Sequence, residues 1–119
     1  MSKKILIVDD EPHIRALLEQ TLEELEDQDV EILTASNGRE GLETIEEEKP
    51  NLVFLDVMMP EMNGFQVCQA VKSNVELQSI YIIMLTAKGQ EFDKEKGKQV
   101  GANIYMTKPS DRLLNKCSN

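Results

Sequence analysis

The stretch Ile5-Leu6-Ile7-Val8-Asp9-Asp10 places two acids directly after four apolar residues. A short apolar run rich in β-branched side chains predicts a strand that is buried on both faces, as in a parallel sheet. The same pattern returns in Leu52-Val53-Phe54-Leu55-Asp56, where a single acid ends the run. Both predicted strands therefore deliver carboxylates at their carboxyl ends.

Helical patterns separate the predicted strands along the rest of the chain. Pro12 suits the first turn of a helix, and apolar residues follow it at helical spacing up to Leu25. Further strands are predicted at 30–35, 80–85 and 104–106. A second helix is predicted at 39–48, with Asn37 as its N-terminal cap. Three more helices are predicted: one beginning at Phe65, one containing Phe92 and Val100, and one at 111–117. Such alternation indicates a parallel sheet with helices on both faces and right-handed crossovers.

Composition limits the class of protein. The 119 residues fit one domain, and 40% hydrophobic with 29% charged residues is typical of a globular chain that buries a core. A net charge of -9 argues against direct binding of nucleic acid and is compatible with a cation site. We see no signal peptide, no membrane-spanning run and no metal-type cluster at Cys68 or Cys117. We therefore expect a cytoplasmic protein with reduced thiols.

The predicted strand ends collect side chains that suit phosphoryl transfer. Ligands bind at the carboxyl ends of strands in this kind of sheet, and those ends carry Asp9, Asp10, Asp56, Thr86 and Lys108. Neighbouring carboxylates repel one another, and Mg²⁺, which prefers oxygen ligands, would remove that conflict. An Asp carboxylate can attack phosphorus, with the metal and Lys108 supplying charge and the Thr86 hydroxyl supplying a hydrogen bond.

Each of these residues, taken singly, has an ordinary structural explanation. An Asp at a strand end favours a turn, and the Asp9-Asp10 pair suits a helix cap as well as a metal site. A Thr or a Lys at a strand end is normally solvated. The functional interpretation depends on all five residues occurring at successive strand ends of one topology.

Four segments resemble the receiver domains of two-component response regulators. They are 7–11, 56–64, 85–88 and 101–109, and they occur in this order at matching separations. The resemblance spans nearly the whole chain. It implies an α/β fold in which a doubly wound, five-stranded parallel sheet has the flavodoxin-like strand order 2-1-3-4-5 and helices on both faces. It also implies a single receiver domain over residues 1–119.

The resemblance implies a role for each matched acid. Asp56 would be the phosphoacceptor, and Lys108 would pair with the phosphoryl group. Mg²⁺ would be bound directly by Asp10, mainly through water by Asp9, by Asp56, and by the backbone carbonyl of Met58.

The resemblance also implies a conformational switch. Thr86 would turn toward the phosphoryl group and Tyr105 would change rotamer, so that the surface of the fourth helix, fifth strand and fifth helix is remodelled. The peptide bond before Pro109 is typically cis in the family. Gly64 would permit the tight backbone that follows the active-site loop.

The expected partners follow from the same resemblance. A sensor histidine kinase or a histidine phosphotransfer protein would donate the phosphoryl group, and a phosphorylation-dependent dimer is compatible with the family. The downstream output, and whether the chain stands alone or is a fragment, are left open. Ser110 stands where a bulky apolar residue is usual, and the predicted last helix is short, so the chain departs from the family at the output face. Asn103 stands where an acid is common, with little expected consequence.

Two other functions remain as alternatives. A phosphatase of the haloacid-dehalogenase type also uses a strand-end Asp nucleophile, but that class has a second Asp two residues later, where this chain has Met58. A degenerate receiver would act as a protein-interaction module without phosphorylation, and the complete set of acids with Thr86 and Lys108 argues against it. We therefore expect no enzymatic activity beyond self-phosphorylation and self-dephosphorylation at Asp56.

Overall fold

Five strands alternate with helices in the computed structural model, which describes residues 3–26, 29–86 and 98–107. The elements are β1 (Lys3–Val8), α1 (Pro12–Glu26), β2 (Val30–Ala35), α2 (Gly38–Glu48), β3 (Leu52–Asp56), α3 (Gly64–Lys72), β4 (Tyr81–Thr86) and β5 (Ile104–Thr107). Most of the predicted helix around Phe92, and all of the predicted helix at 111–117, lie outside the described residues. Within the described ranges, no helix is long and apolar enough to cross a bilayer.

The sheet confirms the predicted topology. All neighbouring strands are parallel, and their order is β2-β1-β3-β4-β5. In this register Val8 pairs with Leu55, and Asp56 pairs with Leu85. The carboxyl ends of β1, β3 and β4 therefore meet at one edge of the sheet, which we call the carboxyl edge.

Helices cover both faces of the sheet, as predicted. Side chains alternate between the two faces along each strand, so each face has its own buried cluster. On one face α2 and α3 contribute Ile45 and Val71 to a cluster that includes Met84 of β4. On the other face α1 contributes Ile14 and Leu18. The inner strands are buried on both sides for this reason.

Helix boundaries follow local sequence signals. Pro12 is the first residue of α1, where its missing N–H is not needed. Asn37 caps α2 by accepting a hydrogen bond from the Glu40 N–H at 2.8 Å, which confirms the predicted cap. Helix α2 ends before Lys49, which adopts a left-handed conformation with φ of 48°, and Pro50 follows.

Cys68 packs into the core from α3. Its side chain is fully buried, and its thiol donates to the Val100 carbonyl at 3.5 Å. Burial raises the pKa of this thiol to about 11, although the nearby Lys72 ammonium acts in the opposite direction. Cys68 is therefore a neutral packing group at physiological pH.

A junction between Lys72 and Asn103 ties the end of α3 to the β4–β5 pair. The Lys72 ammonium donates to the carbonyls of Gln78 at 3.1 Å and Ile80 at 2.7 Å, and to Asn103 Oδ1 at 3.0 Å. Asn103 Oδ1 also accepts from the Ile82 N–H at 2.9 Å. Partial burial lowers the pKa of Lys72. The acceptor oxygen of Asn103 thus serves two donors on two different elements.

Replacement of Asn103 tests this junction. Asn103→Ala removes an acceptor from both Lys72 and the Ile82 N–H, and we expect a loss of about 0.5–1.5 kcal/mol in the free energy of unfolding. Asn103→Asp is the matched control, because it keeps the acceptor and should unfold at a urea concentration at least as high as the wild type. Equal destabilisation by both substitutions would contradict the assigned role of the side-chain oxygen.

Candidate functional site

Three carboxylates meet at the carboxyl edge of the sheet. Strand β1 leads directly into Asp9 and Asp10, and β3 ends on Asp56. One carboxylate oxygen from each residue lies within 4.8 Å of the others. Asp9 and Asp56 are 0% and 1% exposed, whereas Asp10 is open to solvent. The structure therefore brings together all three acids that the sequence singles out.

Backbone amides orient the two buried carboxylates. The Glu11 N–H donates to Asp9 Oδ1 at 2.9 Å, and the Met58 N–H donates to Asp56 Oδ1 at 3.2 Å. Burial of a carboxylate is costly unless hydrogen bonds or opposite charge compensate for the lost water. In both cases the N–H donor lies two residues after the acid in the sequence. The turn that follows each strand therefore also orients the carboxylate at the end of that strand.

The loop after Asp56 is shaped by its own backbone. The Met62 N–H donates to the Pro60 carbonyl at 2.7 Å, and Glu61 between them has φ of 67°. This conformation is unfavourable for a residue with a side chain, so the loop carries local strain. Asn63 then starts α3 by exchanging hydrogen bonds with Gln66 in a capping box.

Gly64 lies against the backbone of Asp56. Its N–H donates to the Val57 carbonyl at 2.9 Å, and a Cβ at this position would collide with the Asp56 carbonyl oxygen. Gly64 does not need a positive φ, since Gly101 is the glycine with that conformation in the described residues. Only a residue without a side chain fits at this position. Glycine therefore allows α3 to begin directly beside Asp56, the candidate phosphoacceptor.

Thr86 and Tyr105 lie on the same face of the sheet. Thr86 ends β4 and is buried, while Tyr105 is half-buried and packs against the cluster under α2 and α3. Thr86 pairs with Thr107, two residues beyond Tyr105, and side chains alternate along a strand. Lys108 and Pro109 lie outside the described residues, so their predicted charge and cis-peptide roles stay predictions.

The donor set fits a hard divalent cation. Three carboxylates offer oxygen ligands only, and one of them faces solvent, where a metal can retain water. Mg²⁺ prefers this combination of carboxylates and water. Without a cation, three negative charges at this separation repel one another.

Arg15 has no role in the sequence-based predictions, yet it contacts the site. Its Nη1 donates to the Asp9 carbonyl oxygen at 2.6 Å, and its side chain is half-buried. The contact reaches from the first turn of α1 back to the end of β1. No periodicity signals it, because the two residues belong to different elements and only the turn between them brings them together.

Comparison with known proteins gives one consistent result. The chain matches the family described as the response regulator receiver domain over residues 5–117. It is 47% identical over 116 residues to the alkaline phosphatase synthesis transcriptional regulatory protein PhoP of Bacillus subtilis. That alignment covers 97% of this chain and 46% of PhoP, so the chain spans less than half of this relative.

Solved structures share the fold. The chemotaxis protein CheY4 of Vibrio cholerae superposes with a TM-score of 0.80 at 34% identity, covering 99% of this chain and 97% of that one. The Mn²⁺-bound form of another response regulator superposes with a TM-score of 0.82 at 26% identity, covering 96% and 88%.

Removal of one acid should relieve the repulsion at the carboxyl edge. In a buffer with EDTA, we expect Asp10→Asn to stabilise the protein by less than about 1 kcal/mol, the usual range for exposed charges. Urea unfolding measures this change. Mg²⁺ should then stabilise the wild type more than the variant, because ligand binding to the folded state raises its stability.

The matched control for this substitution is Glu19→Gln on the exposed face of α1, which changes the net charge equally. It should leave both the stability in EDTA and the effect of Mg²⁺ unchanged. The same response in both variants would show that net charge alone, and not the cluster, is responsible.

Proposed function

This chain belongs to the response regulator receiver domain family, and from that premise we propose that it is a receiver in which Asp56 accepts a phosphoryl group. The donor would be a sensor histidine kinase or a histidine phosphotransfer protein. Members of the family act in two-component signalling. The observation that carries the proposal is the meeting of Asp9, Asp10 and Asp56 within 4.8 Å at the carboxyl edge.

Phosphorylation requires nucleophilic attack by Asp56 on phosphorus. One carboxylate oxygen forms the new O–P bond while the P–N bond of the donor phosphohistidine breaks. The electron pair returns to the imidazole nitrogen, which takes up a proton, and the product is an aspartyl phosphate. The hydrogen bond from the Met58 N–H to Asp56 Oδ1 limits rotation of the carboxylate and supports this alignment.

Asp9, Asp10, Asp56 and the backbone carbonyl of Met58 would hold a Mg²⁺ ion. When bound, the ion would neutralise charge on the carboxylates and on the transferred phosphoryl group. Asp9 is fixed by burial and by the Glu11 N–H, so it presents one charge from a constant position. Asp10 is exposed and can ligate a partly hydrated ion directly.

Thr86 and Lys108 would bind the phosphoryl oxygens. Thr86 is the last residue of β4, and Lys108 is the residue directly after β5 in the sequence. Phosphorylation would draw Thr86 inward and allow Tyr105 to change rotamer on the same face of the sheet. This is a shift between two populated states of one fold, and it would remodel the surface of the fourth helix, fifth strand and fifth helix.

We extend the proposal to the whole chain as a single receiver domain over residues 1–119. It would act in the cytoplasm, without direct contact to nucleic acid or membrane, and it would control an output protein or domain of unspecified kind. Phosphorylation-dependent dimerisation belongs to the same proposal. The degenerate receiver that binds partners without phosphorylation remains the alternative.

Phosphorylation at Asp56 is tested by incubation with Mg²⁺ and acetyl phosphate, followed by intact mass measurement. The wild type should gain one phosphoryl group, and Asp56→Asn should gain none because the nucleophile is lost. Asp29→Asn, an exposed acid before β2, is the matched control and should behave as the wild type. A wild type that stays unmodified with acetyl phosphate and with a cognate kinase would favour the degenerate receiver.

The switch is tested with beryllofluoride and Mg²⁺, which mimic the aspartyl phosphate. We expect chemical shift changes at Thr86 and Tyr105 in two-dimensional NMR spectra, and Thr86→Ala should suppress the changes at Tyr105. Thr44→Ala on α2 is the control, because its hydroxyl donates to the Glu40 carbonyl of the same helix. Equal shifts at Tyr105 with and without the Thr86 hydroxyl would contradict the coupling.

A further inference from the structure

Arg15 restrains the turn between β1 and α1. Its Nη1 donates to the Asp9 carbonyl oxygen at 2.6 Å, and its own N–H donates to the Glu11 carbonyl at 3.2 Å. The guanidinium therefore contacts the turn that carries two of the three clustered acids. No step of the proposed phosphoryl transfer uses an atom of Arg15.

The contact acts on the peptide unit that joins Asp9 to Asp10. The carbonyl oxygen of Asp9 and the amide nitrogen of Asp10 belong to one planar group. Rotation of this group about the adjoining ψ and φ angles would redirect the Cα–Cβ bond of Asp10. The Asp10 side chain is exposed, so surrounding side chains do little to fix its direction.

Two further polar atoms of Asp9 bond to backbone groups. Its N–H donates to the Ala35 carbonyl at 3.2 Å, and its Oδ1 accepts from the Glu11 N–H at 2.9 Å. The first bond attaches Asp9 to β2. The second spans Asp10, because it joins the Asp9 side chain to the residue that follows Asp10. Arg15 adds a further restraint, on the carbonyl oxygen of the Asp9–Asp10 peptide itself.

We propose that Arg15 is a positioning residue for the cation site: it fixes the Asp9–Asp10 peptide and thereby aims the Asp10 carboxylate toward Asp56. The inference rests on the proposed function, since it assigns Asp10 to a Mg²⁺ site. Groups that orient metal ligands without touching the metal typically change affinity by about 10- to 100-fold when they are removed.

Two other roles for Arg15 make different predictions for Mg²⁺ affinity. If Arg15 acts only through its charge, its removal takes a cation away from three carboxylates and tightens Mg²⁺ binding. If it acts only as a structural residue, its removal lowers stability and leaves the affinity of the folded protein unchanged. A positioning role predicts weaker binding, so the direction of the change decides among the three.

The experiment is isothermal titration of wild type and variants with MgCl₂, at a temperature where circular dichroism shows each protein folded. We expect Arg15→Met and Arg15→Gln to bind Mg²⁺ at least about tenfold more weakly. Arg15→Lys keeps a cationic donor on a long side chain and should restore most of the affinity. Arg39→Met, an exposed arginine on α2, is the charge-matched control and should not weaken binding.

Unchanged or tighter Mg²⁺ binding by the Met and Gln variants would overturn the proposal, and the Gln variant alone decides if the Met variant does not fold. A second readout is the Mg²⁺ dependence of phosphorylation by acetyl phosphate. The half-saturating Mg²⁺ concentration should rise in these variants while the rate at saturation stays at the wild-type value. If the wild type gains no phosphoryl group, the proposed function fails, and the titrations still decide the role of Arg15.

Discussion

The parallel pairing of β3 with β1 and β4 is the constraint on which the site depends. Leu55 and Val8 are wholly buried and pair with each other, so their strands cannot shift without exposing apolar surface. Asp56 and Asp9 each follow one of these residues directly. The hydrophobic interior therefore forces two carboxylates into proximity that their charges alone oppose.

This opposition explains why the surroundings of the acids are so closely defined. Each buried carboxylate receives a backbone N–H from the turn that follows it, and the turn after β1 is further restrained by Arg15. The Glu61 conformation shows that the loop after β3 accepts strain to reach its shape. A cation bound by these carboxylates would offset their repulsion and would stabilise the folded state.

Much of the fold was predictable because its signals are local or periodic. Buried apolar runs located β1 and β3, and Asn37 and Pro12 marked the starts of helices α2 and α1. Strand ends were less accurate: β1 begins at Lys3, two residues before its apolar run, because pairing with Val30 uses backbone groups and tolerates any side chain.

The acids of the site were also predictable, since β1 and β3 are neighbours in any sheet of this order and both end in acids. Contacts that depend on the path of a turn were not predictable from the sequence. Arg15 binds a carbonyl six residues away, and Asn103 serves Lys72 and a strand N–H at once, although its position suggested only a replacement for a common acid. Neither contact leaves a periodic or compositional trace.

Helix α3 is fastened at both of its ends. At the start of the helix, Gly64 lies in close contact with the Asp56 carbonyl. At its end, Lys72 donates hydrogen bonds to two carbonyls and to Asn103. A helix held in this way has little freedom to translate or tilt when Asp56 changes. In the proposed switch, a displacement that begins at Asp56 would therefore meet resistance at α3. The anchoring of α3 would then favour transmission of a signal along β4, through Thr86.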